Sequence, residues 1–132
     1  MYKIFSNSNG KEQAFNSLNE IVSDLGSKKI LVLTGKSSFK RSKSKEFLMG
    51  ELSNYKDKLH FYSDFRNNPN IEDLNKAIKK LKSIKFDLII ACGGGSVIDF
   101  SKLLKIYLRN SESIKDFPAK FCIPDKSKIS LI

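Results

Sequence analysis

The sequence predicts an α/β fold: a mostly parallel sheet with helices on both faces. Short apolar runs of strand length alternate with stretches of helical periodicity, joined by short connections. The strand-length stretches at residues 29–33 and 86–92 contain the continuous apolar runs Ile30–Leu33 and Leu88–Cys92, as in strands covered on both sides. Glycine, proline and asparagine fall between the periodic stretches, where turns are needed.

Taken in order, residues 2–5 form a short opening strand and residues 6–10 a turn. Residues 11–25 carry Ala14, Phe15, Leu18, Ile21, Val22 and Leu25 at helical spacing, and Gly26 is a natural stop. Ile30-Leu-Val-Leu33 is a buried strand, and residues 34–43 are a polar loop. Residues 44–55 form a weaker helix with Phe47, Leu48 and Leu52 inward. Residues 59–62 are a third strand, followed by a loop over 63–70 in which Pro69 keeps Asn68 out of helical geometry. Residues 71–84 form a helix with Ile71, Leu74, Ala77, Ile78 and Leu81 on one face, and Asn70 caps it with Asp73 three residues on. Residues 86–92 are the fourth main strand, 96–108 the next helix and 120–123 a last short strand.

The 132 residues suit one domain, and 40% apolar residues suffice for a core. No apolar run reaches the roughly 18 residues of a membrane span, and the N-terminus lacks a signal-peptide apolar stretch, so a cytoplasmic protein is expected. Cys92 and Cys122 are expected to be free, buried thiols. The net charge of +10 invites a nucleic-acid partner, but the lysines are spread over nearly every element. Lys79, Lys80, Lys82 and Lys85 lie on or just beyond the polar side of one helix, and no arginine-rich arm or zinc-finger spacing is present. Most of this charge reads as solvated surface that attracts anions in general. His60, the single histidine, sits inside a strand and reads as structural.

Chemistry concentrates in two places. Gly93-Gly94-Gly95-Ser96 joins a buried strand to a helix. Bare backbone there allows close approach of a phosphate, and the helix start aims N–H groups and its positive dipole end at an anion. The peptide N–H groups of Gly94, Gly95 and Ser96 would cradle a pyrophosphate, with Ser96 capping the helix; a tight turn without a ligand is the plain alternative. Asp99 and Lys102 follow on nearly the same helical face, either as a surface ion pair or with Asp99 turned to a ribose. The second place is Thr34-Gly35-Lys36-Ser37-Ser38-Phe39-Lys40-Arg41, after the first buried strand. Dinucleotide-binding sheets often hold adenosine ribose hydroxyls with an acidic residue at such a point; a glycine with hydroxyls and cations suits a 2′-phosphate better, which favours NADP over NAD.

Together these segments resemble the iron-containing (group III) alcohol dehydrogenases, through Gly-Gly-Gly-Ser-x-x-Asp-x-x-Lys at 93–102, Asn68-Pro69 before a helix, and Leu-Val-Leu-Thr-Gly-Lys-Ser-Ser at 31–38. Thr34-Gly-Lys-Ser-Ser-Phe and Ser63-Asp-Phe-x-x-Asn-Pro resemble the branch that includes phosphonoacetaldehyde reductases. The resemblance covers residues 2–124 and implies a Rossmann-like, NAD(P)-binding N-terminal domain. A second, all-helical domain of the family holds Fe²⁺ or a similar divalent ion by one Asp and three His, and hydride passes between nicotinamide and an alcohol or aldehyde. Carried over, Gly93, Gly94, Gly95 and Ser96 hold the pyrophosphate and Asp99, with Lys102 beside it, approaches the nicotinamide ribose. Gly35, Lys36 and Ser37 sit at the adenosine end, and Asn68 lines the cleft.

Two departures matter. The family follows its Ile-Pro with Thr-Thr-Ala-Gly-Thr-Gly-Ser-Glu, which closes over the cofactor, whereas Ile123-Pro124 is followed here by Asp125-Lys126-Ser127-Lys128, and Asp125 would bring negative charge to the phosphates. One histidine cannot make a three-histidine site. The expectation is a single nucleotide-binding domain over 1–132, without the metal-binding domain and inactive alone. It would work with a complementing C-terminal domain or as a homo-oligomer. A non-catalytic nucleotide-binding or interaction module and a basic nucleic-acid binder are the competing expectations.

Overall fold

The computed structural model of the protein describes residues 2–5, 12–15, 17–41, 43–109 and 130–131. The elements in chain order are β1 (Tyr2–Phe5), β2 (Glu12–Phe15), α1 (Leu18–Leu25), β3 (Ile30–Thr34), α2 (Ser38–Arg41), α3 (Ser44–Glu51), a 3₁₀ segment (Ser53–Lys58), β4 (Leu59–Tyr62), α4 (Ile71–Leu81), β5 (Leu88–Cys92), α5 (Gly95–Arg109) and β6 (Ser130–Leu131).

Four parallel strands form a sheet in the order β4-β3-β5-β6. The period-two geometry of the strands sorts their side chains. Ile30, Val32, Leu88 and Ile90 face a core built with Leu18, Ile21 and Val22 of α1, Phe39 of α2, Leu48 of α3 and Leu52. Leu31, Leu33 and Ile89 face a second core with Leu74, Ala77 and Leu81 of α4 and Val97, Phe100, Leu104 and Tyr107 of α5. Phe100 alone, 1% exposed, contributes about 1.5–3 kcal/mol by burial. The expected parallel sheet with helices on both faces is therefore present.

Local signals fix the register and the ends. The Asp87 carboxylate accepts from the N–H groups of Lys28 (2.8 Å) and Lys29 (3.3 Å), and Asp87 N–H donates to Lys29 C=O (3.0 Å), so β3 and β5 start in step. Asn70 and Asp73 form a reciprocal capping box at α4, as the sequence predicts. Gly26 ends α1 at φ 60°, the left-handed geometry that favours glycine.

Several expectations are corrected. Residues 11–25 are not one helix: Glu12–Phe15 is a strand paired antiparallel with Tyr2–Phe5. The helix starts after Ser17, whose extended backbone (φ −151°, ψ 160°) and side-chain bond to Glu20 N–H make it the cap. The polar 34–43 stretch contains α2, because Phe39 has a core to enter (7% exposed). The 44–55 helix stops at Glu51 and tightens into the 3₁₀ segment; Leu48 and Leu52 point inward, but Phe47 is 51% exposed. Ile71, placed on the inner face of its helix, is 50% exposed, because it opens α4 ahead of the stripe that meets the sheet. The 71–84 helix ends at Leu81, and the 86–92 strand begins at Leu88 with Phe86 buried just ahead of it. Residues 6–10 and 120–123 lie outside the described residues, as does Cys122. The strand beside β5 is Ser130–Leu131, pairing Leu88 with Ser130 and Ile89 with Leu131. Ile123-Pro124 and Asp125 lie outside the described residues.

Candidate functional site at the split between two strands

Strand order decides where a ligand fits. From β3 the chain runs through α2 and α3 on one face to β4, then through α4 on the other face to β5. The segments leaving β3 and β5, adjacent strands, therefore diverge to opposite faces. Such a reversal opens a crevice beyond the carboxyl ends of the two strands. Thr34 pairs with Cys92, so Gly35 and Gly93 emerge side by side at that rim. The segment after β4, which carries Asn68, leaves from the same rim, since Leu33 pairs with Tyr62 in parallel.

The glycine turn after β5 divides into two kinds of position. A Cβ on Gly93 would lie 2.5 Å from Val97 Cγ2 and 3.0 Å from Val97 Cβ, so this glycine is required by the packing of α5 on its own turn. A Cβ on Gly94 or Gly95 meets nothing within 4 Å, and neither has a positive φ. Nothing inside the described protein requires glycine at these two positions, and all three glycines are exposed. Gly94 C=O accepts from Val97 N–H and Ile98 N–H, both at 3.1 Å, so the helix begins at Gly95 and not after Ser96. Ser96 therefore lies inside the first turn, half-buried, and is not the cap. The amides of Gly95 and Ser96 precede any intrahelical acceptor and open on solvent with the dipole behind them. The space that a side chain would fill therefore stays open next to such donors.

Further along α5, Asp99 and Lys102 pair with each other at 3.4 Å and are 75% and 62% exposed. They form the surface ion pair that the spacing allows. Ile98 beside them is 41% exposed.

The turn after β3 is rich in side chains. Lys36, Ser37 and Lys40 are exposed, Gly35 is half-buried, and Arg41 Nη2 donates to Ser37 Oγ at 3.0 Å. A Cβ on Gly35 would approach Ser38 Oγ at 2.5 Å, the end of a side chain that can rotate away. Lys36 Nζ lies 3.9 Å from Asp64 Oδ1, and Lys76 Nζ lies 2.6 Å from Asp64 Oδ2. The hydrogen bond from Lys76, then its charge, holds the Asp64 carboxyl below the ordinary aspartate range, with Lys36 adding less. Asp64 is held in place by its neighbour: Phe65 is 5% exposed and its ring lies 4.3 Å from that of Phe100 on α5. Sequence reasoning met Asp64 and Phe65 only within the Ser63-Asp-Phe-x-x-Asn-Pro segment and gave them no role in the site; an aromatic residue inside a polar loop was the available signal. Asn68 is exposed on the same segment.

Cys92 closes β5 as a free, half-buried thiol whose pKa is pushed up by burial, with a hydrogen bond to Ser44 opposing the shift. His60 is half-buried against the edge of Phe86, ring centroids 5.7 Å apart. Lys79, Lys80, Lys82 and Lys85 are all exposed. Among the described residues no three His, Cys, Asp or Glu side chains gather as a metal site needs, so the residues described do not fit the divalent ion that the family resemblance implies. No helix of the described residues is long and apolar enough to cross a membrane.

A family model for iron-containing alcohol dehydrogenases matches residues 8–132. The mitochondrial hydroxyacid-oxoacid transhydrogenase of Caenorhabditis elegans is 34% identical over 97 residues, covering 70% of this chain and 20% of that protein. Long-chain-alcohol dehydrogenase 1 of Geobacillus thermodenitrificans is 32% identical over 104 residues, covering 79% of this chain and 26% of that protein. A crystal structure of an iron-containing alcohol dehydrogenase superposes with a TM-score of 0.65 at 32% identity, covering 73% of this chain and 27% of the other. The chain thus spans between 20% and 27% of the length of these proteins. With a Rossmann-like sheet and a glycine turn at its split, the chain belongs to the iron-containing alcohol dehydrogenase family of oxidoreductases.

Proposed function

We propose that this chain is the dinucleotide-binding part of an NADP(H)-linked alcohol dehydrogenase. The observation that carries the reading is the unfilled space over Gly94 and Gly95, which opens at the sheet's split beside the first amides of α5. The backbone of Gly93–Ser96 holds the pyrophosphate by N–H donation. Gly35, Lys36 and Ser37 receive the adenosine end, and the cations and hydroxyls there favour a 2′-phosphate. Asn68 lines the cleft, and Asp99, with Lys102 beside it, faces the nicotinamide ribose.

The described residues hold no ligand set for the family's divalent ion, so the chain's own part is to bind and orient the dinucleotide while metal and substrate are held elsewhere. Ile98, exposed beside the glycine turn, is apolar surface that a complementing helical domain would cover. The Thr34-Gly-Lys-Ser-Ser-Phe and Ser63-Asp-Phe-x-x-Asn-Pro segments support a place near the phosphonoacetaldehyde reductases, and a cytoplasmic setting is compatible with the described residues, none of whose helices is long and apolar enough to cross a membrane. Titration of NADPH fluorescence with the purified chain is expected to saturate, with NADH binding more weakly. No saturation by either nucleotide at millimolar concentration would contradict the reading.

A further inference from the structure

We propose that Lys76 on α4 is a positioning residue for dinucleotide choice, acting on Lys36 through the Asp64 carboxylate that the two lysines share. The inference rests on the reading that the turn after β3 receives the adenosine end.

The three side chains come from three separate elements: Lys36 from the turn after β3, Asp64 from the segment after β4 and Lys76 from α4. Asp64 is the fixed member, because Phe65 next to it is packed on Phe100. The lysines are long and mobile, with 61% of Lys36 and 62% of Lys76 exposed. One carboxylate compensates about one ammonium, and the shorter contact takes most of it. Lys76 holds Asp64 at 2.6 Å, inside hydrogen-bond distance, while Lys36 stands off at 3.9 Å. Lys36 is thereby kept at the rim without being neutralised. The other charges of the region are engaged differently: Arg41 donates to Ser37, Arg66 lies 3.6 Å from Glu72 and from Asp73, and Lys80 adds only a distant field at Asp64.

This arrangement predicts opposite signs for two neighbouring substitutions. Without Lys76, the Asp64 carboxylate turns wholly to Lys36, and a 2′-phosphate loses its cation. Without the Asp64 charge, Lys36 is released to the phosphate whether or not Lys76 is present. A unit charge about 6 Å from a phosphate in an exposed setting changes affinity roughly three- to tenfold, and salt suppresses the change.

The test measures dissociation constants of NADPH and NADH for the wild-type chain, Lys76→Met, Asp64→Asn and the double variant, at low and high salt, with thermal melts as a folding check. Lys76→Met is expected to lower the NADPH preference roughly three- to tenfold and Asp64→Asn to raise it by a similar factor, with NADH less affected. In the Asp64→Asn background, Lys76→Met should do markedly less, and high salt should shrink every difference. Binding of both nucleotides with an unchanged ratio, a shift of the same sign in both single variants, or an undiminished Lys76 effect in the double variant would overturn the inference alone. Failure of the wild-type chain to bind either nucleotide would overturn the site reading and this inference with it.

Discussion

The turn after β5 offers bare backbone to solvent, whereas the turn after β3 offers lysines, serines and an ion pair reaching across to α4. Both leave the same rim of the sheet, from strands paired residue by residue up to Thr34 and Cys92. They differ in what they can recognise. Amides at a helix start read an anion by geometry and are insensitive to which nucleotide carries it. Long charged side chains read the presence or absence of one phosphate, and they do so through Coulomb terms that neighbours can tune. On the proposed reading, affinity belongs to the β5 turn and selectivity to the β3 turn.

The largest effect is expected at Gly94. Gly94→Val adds a Cβ that has no atom within 4 Å, so its thermal melt should stay close to the wild type while NADPH and NADH affinity both fall by roughly 100-fold. Wild-type affinity in this variant would break the division between the turns. Gly93→Ala sharpens the same point from the other side. Its Cβ meets Val97, whose branched side chain has little rotamer freedom in a helix, so stability should fall by about 1–3 kcal/mol in a denaturant titration. Gly94→Ala should leave stability nearly unchanged in the same experiment.

Gly35→Asp tests the β3 turn. Only the Ser38 hydroxyl has to move, and the new carboxylate should cost NADPH roughly tenfold while sparing NADH. Equal losses for both nucleotides would mean that this turn carries affinity and not choice. The smallest effect is the titration of Asp64. Its folded pKa is depressed, so the Lys76 contact is intact above the ordinary aspartate value and is lost as the pH falls through the lower folded one. NMR titration of the carboxyl should show this depressed value, moving back toward the ordinary one in Lys76→Met; an ordinary value in the wild-type chain would contradict the geometry.

Much of this was legible in the sequence for a definite reason. Ile30-Leu-Val-Leu33 and Leu88-Ile-Ile90 are apolar at every position because both faces are covered, and Asn70 with Asp73 announces a helix start by itself. The glycine turn was legible as a candidate site because three successive glycines have few structural uses. What escaped depends on contacts distant in sequence. Ala14 and Phe15 fit the helical face of α1 by spacing, and only pairing with Tyr2–Phe5 makes that segment a strand. Phe47 and Ile71 have the right spacing but no opposing surface among the described residues. Gly93 looks like Gly94 in sequence, and only the position of Val97 separates the packing glycine from the open ones. Asp64 gained its place from Lys76 and Phe65–Phe100, none of which a local pattern reveals.

The central claim is that successive amides at the start of α5 seat the dinucleotide's phosphates. Backbone amide NMR spectra of the ¹⁵N-labelled chain, recorded during titration with NADPH, test it most directly. The account predicts that the largest shifts fall on the N–H groups of Gly94, Gly95 and Ser96, with smaller ones at Gly35–Ser37. Saturable shifts elsewhere, with those three amides unmoved, would contradict it.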